Sequence, residues 1–591
     1  MMSGSYSFKK TNSVILRAAI LGTGFILSVT TLGFGANEIS KQTRDDVVDE
    51  IVIQLEEFEK SAEQPRVRKE EKPEITIEEE IHPEVEPSVK GPIFYVRQIR
   101  FTGNQAVPTE ELQKLTKPFE GEQLSFQELR SAAQLITNYY RAKGYVTSRA
   151  YVPVQTLLND TVEIQIREGK ISRVLVQGNR HFKSSLYERT LDLPKDKAFR
   201  YQDLEANLSK LNREPDREAK AYLIAGEKPQ TSDIIFKVKD QIPVHINHEF
   251  HNRGSKFTHR ARNVINLTHN NLLGLGDVFN TSVSLAEEGA FRAIFMNYQL
   301  TAIPSLKTVF SIGSAMAHSR LVKDLKPLNI TGDYWSLTPA IQQPLIRTPR
   351  FSLDYFLGFE IKDSKTSLNN LKIAFDRMRV LRTGPRLSYQ DRLGRSALSV
   401  DLHVGIPKIL GASSKSDPNA SQPGTGGEFF YATANVTRIH RLPLNSFLVL
   451  RSSGQLTNRS LTSLEQFRAG GAYSVRGYPE SDSVGDNGVQ FSSELRVPLI
   501  FIPRDWIVPL IQKKLWNSVY LIGFIDGAET SLLHRPVPAS EKDRLLLGTG
   551  FGLRVDWEPY VTVELDMGYP FGNDSTDKDR TITHLLVRSG F

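Results

Sequence analysis

From Val244 to Phe591 the chain is a succession of short segments in which apolar and polar residues alternate, each closed by Gly, Asn, Asp, Ser or Pro. Val561, Val563, Leu565 and Met567 alternate with Thr562, Glu564 and Asp566, and Phe551, Leu553, Val555 and Trp557 alternate with Gly552, Arg554 and Asp556. Successive side chains of a strand point to opposite faces, so these segments are strands with one apolar and one charged face. A strand between lipid and an aqueous lumen needs that division. A soluble sandwich alternates too, but a stretch of about 350 residues exceeds most single sandwiches. At ~10 residues per strand plus loops, it accommodates an antiparallel transmembrane barrel of about 16 strands. The last residue, Phe591, shares a strand face with Leu585 and Val587. A terminal aromatic suits a closing strand whose final side chain sits at the membrane interface.

The chain has 591 residues, 39% hydrophobic and 24% charged, and no cysteine. Its length predicts several domains. The composition resembles that of a soluble protein, which a barrel also shows because its lumen face dilutes the apolar signal. Without cysteine there are no disulfides, thiolate metal sites or cysteine nucleophiles. The net charge of +7 is modest, and residues 37–90 are acidic. No cluster of Lys and Arg with aromatics marks one face, which argues against a nucleic-acid partner.

Lys9, Lys10 and Arg17 precede an apolar stretch, Ala18–Phe34, followed by Gly35 and Ala36. This predicts a signal peptide over 1–36. As a membrane anchor the stretch is short and interrupted by Gly22, Gly24, Ser28 and Thr30. No later segment has the run of roughly 20 apolar residues that a membrane helix requires. Within 37–64, Val47, Val48, Ile51, Val52, Leu55 and Phe58 form one stripe of an amphipathic helix. Residues 65–92, rich in Glu, Pro and Lys, read as an extended linker. The tethered helix is either a plain solvent-facing helix or a plug for the barrel.

Between the linker and the barrel a β-α-α-β-β unit occurs twice, over 93–168 and 169–241. The first copy has strand Tyr95–Phe101 ending at Gly103-Asn104, helices Pro108–Leu115 and Ser125–Lys143, and strands Val146–Val154 and Thr161–Arg167. Ser125 with Glu128 three residues on forms a capping box. The second has strand Ile171–Val176 ending at Gly178-Asn179, helices Ser184–Leu191 and Tyr201–Asn212, and strands Ala219–Ile224 and Asp233–Lys239. A period of roughly 75 residues predicts two small tandem α+β domains. Each sheet offers an edge whose backbone groups can accept an extended guest strand.

Several motifs carry a family resemblance. Lys143-Gly144-Tyr145-Val146-Thr147-Ser148-Arg149-Ala150-Tyr151-Val152-Pro153-Val154-Gln155 is similar to the signature of the first POTRA domain of two-partner-secretion transporters of the haemolysin/filamentous-haemagglutinin type. These are relatives of the outer-membrane barrel-assembly factors. Ala225–Asp233 resembles the end of their second POTRA domain, with Gln230 where glycine is expected, and Asn271–Asp277 resembles their first barrel hairpin. The most specific match is Gly470-Gly471-Ala472-Tyr473-Ser474-Val475-Arg476-Gly477-Tyr478, followed by Gly485–Gly488 and Glu494-Leu495. In the family this is a long extracellular loop near 470–490 that folds into the barrel. Its partner on the wall is Phe-x-Asp-x-Gly. Phe524-Ile525-Asp526-Gly527-Ala528 fits, except that Ala528 stands at the final glycine.

The resemblance implies an outer-membrane transporter whose barrel spans 242–591 and whose POTRA domains face the periplasm. It implies export of a large unfolded partner protein. Val475, Arg476, Gly477 and Tyr478 then form the loop motif, and Phe524, Asp526 and Gly527 its wall. Tyr145, Ser148, Arg149, Ala150, Tyr151, Pro153 and Gln155 recognise the partner. Other implied partners are outer-membrane lipid and, during biogenesis, periplasmic chaperones and the barrel-assembly machinery. Independently of the family, an Arg in a lumen needs a carboxylate because an unpaired buried charge is costly, and its planar fork suits one. The alternative role is a factor that inserts other barrels. A passive porin leaves the repeats and the loop motif without purpose.

Other chemistry is weakly signalled. His245 and His248 fall on opposite strand faces, so they do not converge with His251 and Glu249 on a metal. Gly548-Thr549-Gly550-Phe551-Gly552 has the composition of a phosphate loop but no helix after it. No Gly-x-Ser-x-Gly elbow is present. The expectation is a non-enzymatic protein with no cofactor and no metal.

Overall fold

The computed structural model describes residues 75–77 and 93–590, apart from 158, 192, 194–196, 213, 215, 229–230, 304, 500–501, 504, 510–512, 534–542, 558–559 and 572–580. The expected signal peptide, the helix within 37–64, most of the linker, Gln230 and Phe591 lie outside the described residues. The chain divides into two compact units, one of residues 64–243 with 270–276, the other holding Val244–His269 and Asp277–Phe591.

In the first unit, β1 (Ile75–Ile77) belongs to the linker. The first repeat contains β2 (Ile93–Val96), β3 (Gln98–Thr102), α1 (Thr109–Thr116), β4 (Glu122–Ser125), α2 (Phe126–Ala142), β5 (Arg149–Tyr151) and β6 (Thr161–Arg167). The second contains β7 (Lys170–Gln177), α3 (Ser184–Thr190), α4 (Tyr201–Asn212), β8 (Arg217–Ala225) and β9 (Thr231–Asp240). Each repeat packs its helices on one sheet. Ile99, Leu112, Ile136, Val162 and Ile164 centre the first core, and Tyr187, Phe199, Leu204, Leu208 and Phe236 the second. The capping box of α2 is present, with the Ser125 N–H donating to Glu128 at 2.7 Å and the Glu128 N–H to Ser125 Oγ at 3.3 Å.

Two strand expectations change. Tyr95–Phe101 divides at Arg97, whose N–H donates to the Asp160 carbonyl, so β2 pairs with β4 while β3 pairs with β6. Val146–Val154 shortens to β5, because Tyr145–Ser148 close a turn and Pro153 has no N–H to continue a ladder. The sheet orders are β3-β6-β5 and β1-β8-β9-β7. The linker strand thus lies on the edge that the second repeat leaves open, parallel to β8 with Thr76 opposite Tyr222. Segment 270–276 belongs to the same unit, and Asn270 Nδ2 donates to Asp216 at 2.7 Å.

The second unit is a closed antiparallel barrel of 16 strands. Its strands are β10 (Val244–His251), β11 (Arg262–His269), β12 (Val278–Ala286), β13 (Phe291–Ile303), β14 (Thr308–Arg320), β15 (Ile330–Arg347), β16 (Phe351–Leu368), β17 (Leu371–Gln390), β18 (Gly394–Gly405), β19 (Phe429–Leu442) and β20 (Ser446–Thr457). The connection after β20 holds a small hairpin, β21 (Phe467–Ala469) with β22 (Ser483–Gly485). The ring continues with β23 (Asn487–Pro498), leaves it for the small pair β24 (Ile507–Val508) and β25 (Lys513–Lys514), and resumes at β26 (Val519–Ser531), β27 (Asp543–Trp557), β28 (Val561–Pro570) and β29 (Ile582–Gly590). β29 pairs with β10 from Asn247–Gly590 to His251–Leu586. That closure removes both sheet edges, which a membrane-spanning sheet requires. The period-2 division is visible at single residues: Ile525 and Leu495 are 56% and 42% exposed, while their neighbours Asp526 and Glu494 are 0% and 1%.

Candidate functional site

The β20–β23 connection, residues 458–486, folds back into the barrel interior. Gly477, at φ +110°, turns the chain so that Arg476 and Tyr478 are both buried against the wall. Arg476 Nε and Nη2 donate to the two oxygens of Asp526 on β26 at 2.8 and 3.0 Å, and the Arg476 backbone N–H reaches Oδ2 at 3.1 Å. Nη1 donates to Glu494 on β23 at 2.7 Å and lies 3.6 Å from Asp566 on β28. The guanidinium carbon sits 3.5 Å from the ring centroid of Phe524. Parallel hydrogen bonds to one carboxylate, with the cationic face on an aromatic ring, are the contacts a guanidinium makes and an ammonium cannot duplicate.

The partner carboxylates are shared. Glu494 also accepts from Arg496 Nε at 2.7 Å, and Asp566 binds both Arg554 amino groups at 2.7 Å each. Charges of both signs therefore alternate along the wall from β23 to β28, so no member is buried without a counter-ion. Val475 and Tyr478 pack with Ala469, Ala528 and Leu546. Ala528, the departure from the expected motif, fills space against the loop with its methyl group. The close backbone approach falls instead on Gly548 and Gly568. A Cβ there would stand 2.3 Å from the Arg476 carbonyl and 2.4 Å from the Gly477 nitrogen. Gly527 faces the other way, towards Phe491 and Leu547.

The expected recognition residues of the first repeat are spread over different tasks. Arg149 is exposed at the start of β5. Ser148 is fully buried, and its Oγ accepts from the Gly169 N–H at 3.3 Å, so this side chain holds a turn and does not face a partner. Tyr145 packs on Tyr140 with ring centroids 5.7 Å apart. Tyr151 bonds Gln165 through its hydroxyl and carries Arg167 over its ring at 4.5 Å. Gln155 exchanges two 2.8 Å hydrogen bonds with the Glu163 backbone, so its amide acts as one more strand position beside β6 beyond Pro153. The Ala150 N–H is taken by Thr137 Oγ1 at 3.0 Å. The edge is therefore already partnered at Ala150 rather than free.

Comparison with known proteins matches this architecture. The family model of the haemolysin secretion/activation proteins ShlB/FhaC/HecB matches residues 230–511, and that of the ShlB-type POTRA domain matches 94–169. The chain belongs to the haemolysin secretion/activation family. A relative from Haemophilus influenzae (strain 86-028NP), the heme/hemopexin transporter protein HuxB, is 23% identical over 81% of this chain and 83% of its own length. The structure of CdiB from Escherichia coli superposes with a TM-score of 0.60 at 18% identity, over 95% of this chain and all of that one. BamA from Haemophilus ducreyi lacking POTRA domains 1–3 gives 0.54 at 14% identity, over 84% of this chain and all of that one. This family member is an outer-membrane transporter of two-partner secretion that exports a partner protein, with its POTRA domains on the periplasmic side.

By the family match the first repeat is a POTRA domain over 94–169, while the second repeat has its own sheet and two helices and residues 458–486 form the inward loop. Asp566, Gly548 and Gly568 complete the loop's binding site without a sequence signal for that role, and Glu494, which the family match includes, gains its role there as a partner of Arg476. The alternation of β28 and β27 had already placed Asp566 and Arg554 on one strand face. Which lumen residues meet depends on register around the ring, and no short motif carries that. The Gly548–Gly552 run is part of β27 and not a phosphate loop: the loop backbone lies on Gly548, while Gly550 and Gly552 lie close to β28 at Met567 and to Asp566. Among the described residues no group of His, Asp and Glu is arranged to hold a metal ion, and Glu249 instead accepts from Arg588 at 2.7 Å across the closing pair of strands.

Proposed function

We propose that this transporter takes one large partner protein, recognises it as an extended strand at the Arg149–Gln155 edge of POTRA 1, and passes it unfolded through the barrel. Backbone hydrogen bonds of strand addition supply affinity there once Thr137 releases the Ala150 N–H, and Arg149 with Tyr151 and Pro153 supply selectivity. The single observation that carries the reading is the burial of Arg476 on Asp526 inside the lumen. A loop tied this firmly within the passage governs what the passage admits. Residues 42–60 plug the lumen at rest and leave when the partner docks, which a long Glu/Pro linker permits. Translocation on this reading involves no chemical step, and folding of the partner outside draws it through. Periplasmic chaperones and the barrel-assembly machinery deliver the barrel to the membrane.

Arg476→Ala tests the reading. It should abolish partner export while the barrel stays heat-modifiable on gels; normal export by this variant would remove the loop mechanism. Deleting the whole protein should leave unrelated outer-membrane barrels at their usual abundance. Their general depletion would favour the barrel-insertion role instead.

A further inference from the structure

The Arg476 anchor holds only the tip of the inward loop. Its base is held by a different set of residues. Leu461 and Leu464 are buried in an apolar cluster inside the barrel, with Phe291, Tyr334, Met378 and Tyr431 among its members. Between these leucines and the hairpin lies Glu465, whose carboxylate is also buried. One oxygen is 2.9 Å from Lys362 Nζ on β16, and the other accepts from the Tyr431 hydroxyl on β19 at 2.8 Å. Lys362 is held from its own strand by Glu360 at 2.9 Å. The β18–β19 connection reaches in beside it, where Ser421 Oγ accepts from the Ser463 N–H at 3.0 Å. β16 and β19 stand six and three strands round the ring from β26, which carries Asp526 of the tip site.

We propose that Glu465 is a positioning residue of the inward loop. With Lys362 and Tyr431 it forms an ionic clamp, separate from the Arg476 anchor, that holds the loop base to β16 and β19. The inference rests on the reading that the loop governs passage. Packing alone would be served by another leucine at this position, between Leu461, Leu464 and the wall. A buried carboxylate is tolerated only where its counter-charge is in place, so it fixes one position of the loop and penalises every other. The two anchors tie loop base and tip to different arcs of the ring, and clearing the lumen requires both to open together with the Asp482–Arg544 pair on β27 at 2.8 Å.

The absence of native cysteine permits a direct test in the full chain. Thr462 is fully buried beside the clamp, and its hydroxyl has no hydrogen-bond partner, so Thr462→Cys serves as a reporter for an impermeant maleimide added outside cells. The reporter should be protected alone and with Arg476→Ala. Glu465→Lys should expose it, with labelling accelerated by at least about tenfold, and raise conductance in planar bilayers. The double variant Lys362→Glu with Glu465→Lys should restore protection. Continued protection in Glu465→Lys, or exposure in the charge-swapped pair, would show that the leucines alone hold the base. Exposure by Arg476→Ala would show one anchor rather than two. Heat-modifiability checks that each barrel is folded. Normal export by Arg476→Ala would overturn the passage reading separately, because the labelling results do not depend on it.

Discussion

At position 477 a Cβ would stand 2.8 and 2.9 Å from the backbone of Tyr569 and Pro570, and φ is +110°. Neither the strand nor the loop can yield without moving Arg476, so Gly477→Ala should release the tip much as loss of the arginine does. Gly568→Ala acts from the wall side and should reproduce the defect in export. Arg476→Ala removes the cation from Asp526, Glu494 and Asp566 together, and breaking a buried pair in this way costs about 3–5 kcal/mol. Arg476→Lys keeps the charge but loses the fork, so export should fall without full rescue. Export assays of the four variants, with heat-modifiability as the folding control, check these outcomes. The sequence motif supplied Arg476 and Asp526 as a pair. It included Glu494 without a partner and did not supply Asp566, because alternation tells which side of a strand a residue faces and not which residues meet across a ring.

At the scale of elements, the receptor edges are already occupied in this structure. Linker strand β1 lies on β8, and Ile75 packs on the core of the second repeat. If export after docking at POTRA 1 also requires this strand to leave β8, a disulfide between Thr76→Cys and Tyr222→Cys should arrest export, and reduction should restore it. Unimpaired export by the oxidised form would show that β1 stays on β8 throughout. The start of α2 carries a pH dependence. Both the Ser125 N–H and its hydroxyl donate to Glu128, which holds that carboxyl below its ordinary value of 4.5. A depressed carboxyl stabilises the fold above the ordinary value and loses that contribution as pH falls through the depressed one. Protection factors for the amides of Phe126–Leu129, normalised to intrinsic exchange, should therefore be steady from neutral pH to about 5 and fall in stronger acid, and Glu128→Gln should flatten the profile. Helices and their caps were legible because the signals are local. β1 was not, since three residues amid Glu and Pro are too few to show a period. β5 was read too long because the turn at Tyr145–Ser148 depends on contacts with α2 and Gly169.

For the whole molecule, alternation and length were enough to suggest about 16 strands, and the closed ring has that number. The pairing of first strand with last was implicit in closure, whereas the traffic of loops into the interior was legible only where a family motif marked it. Removal of residues 42–60 should raise conductance in planar bilayers, and an unchanged conductance would leave the plug without support. The interior is crossed by a segment of the protein's own backbone, fastened near Glu465 on one side and Arg476 on the other. While both ends stay fastened, a cargo would share its corridor with that crossbar, and girth rather than sequence would be what the channel measures. A partner fused to a domain that folds fast and tightly should stall halfway, while the same fusion carrying a mutation that keeps the domain slack should reach the cell surface.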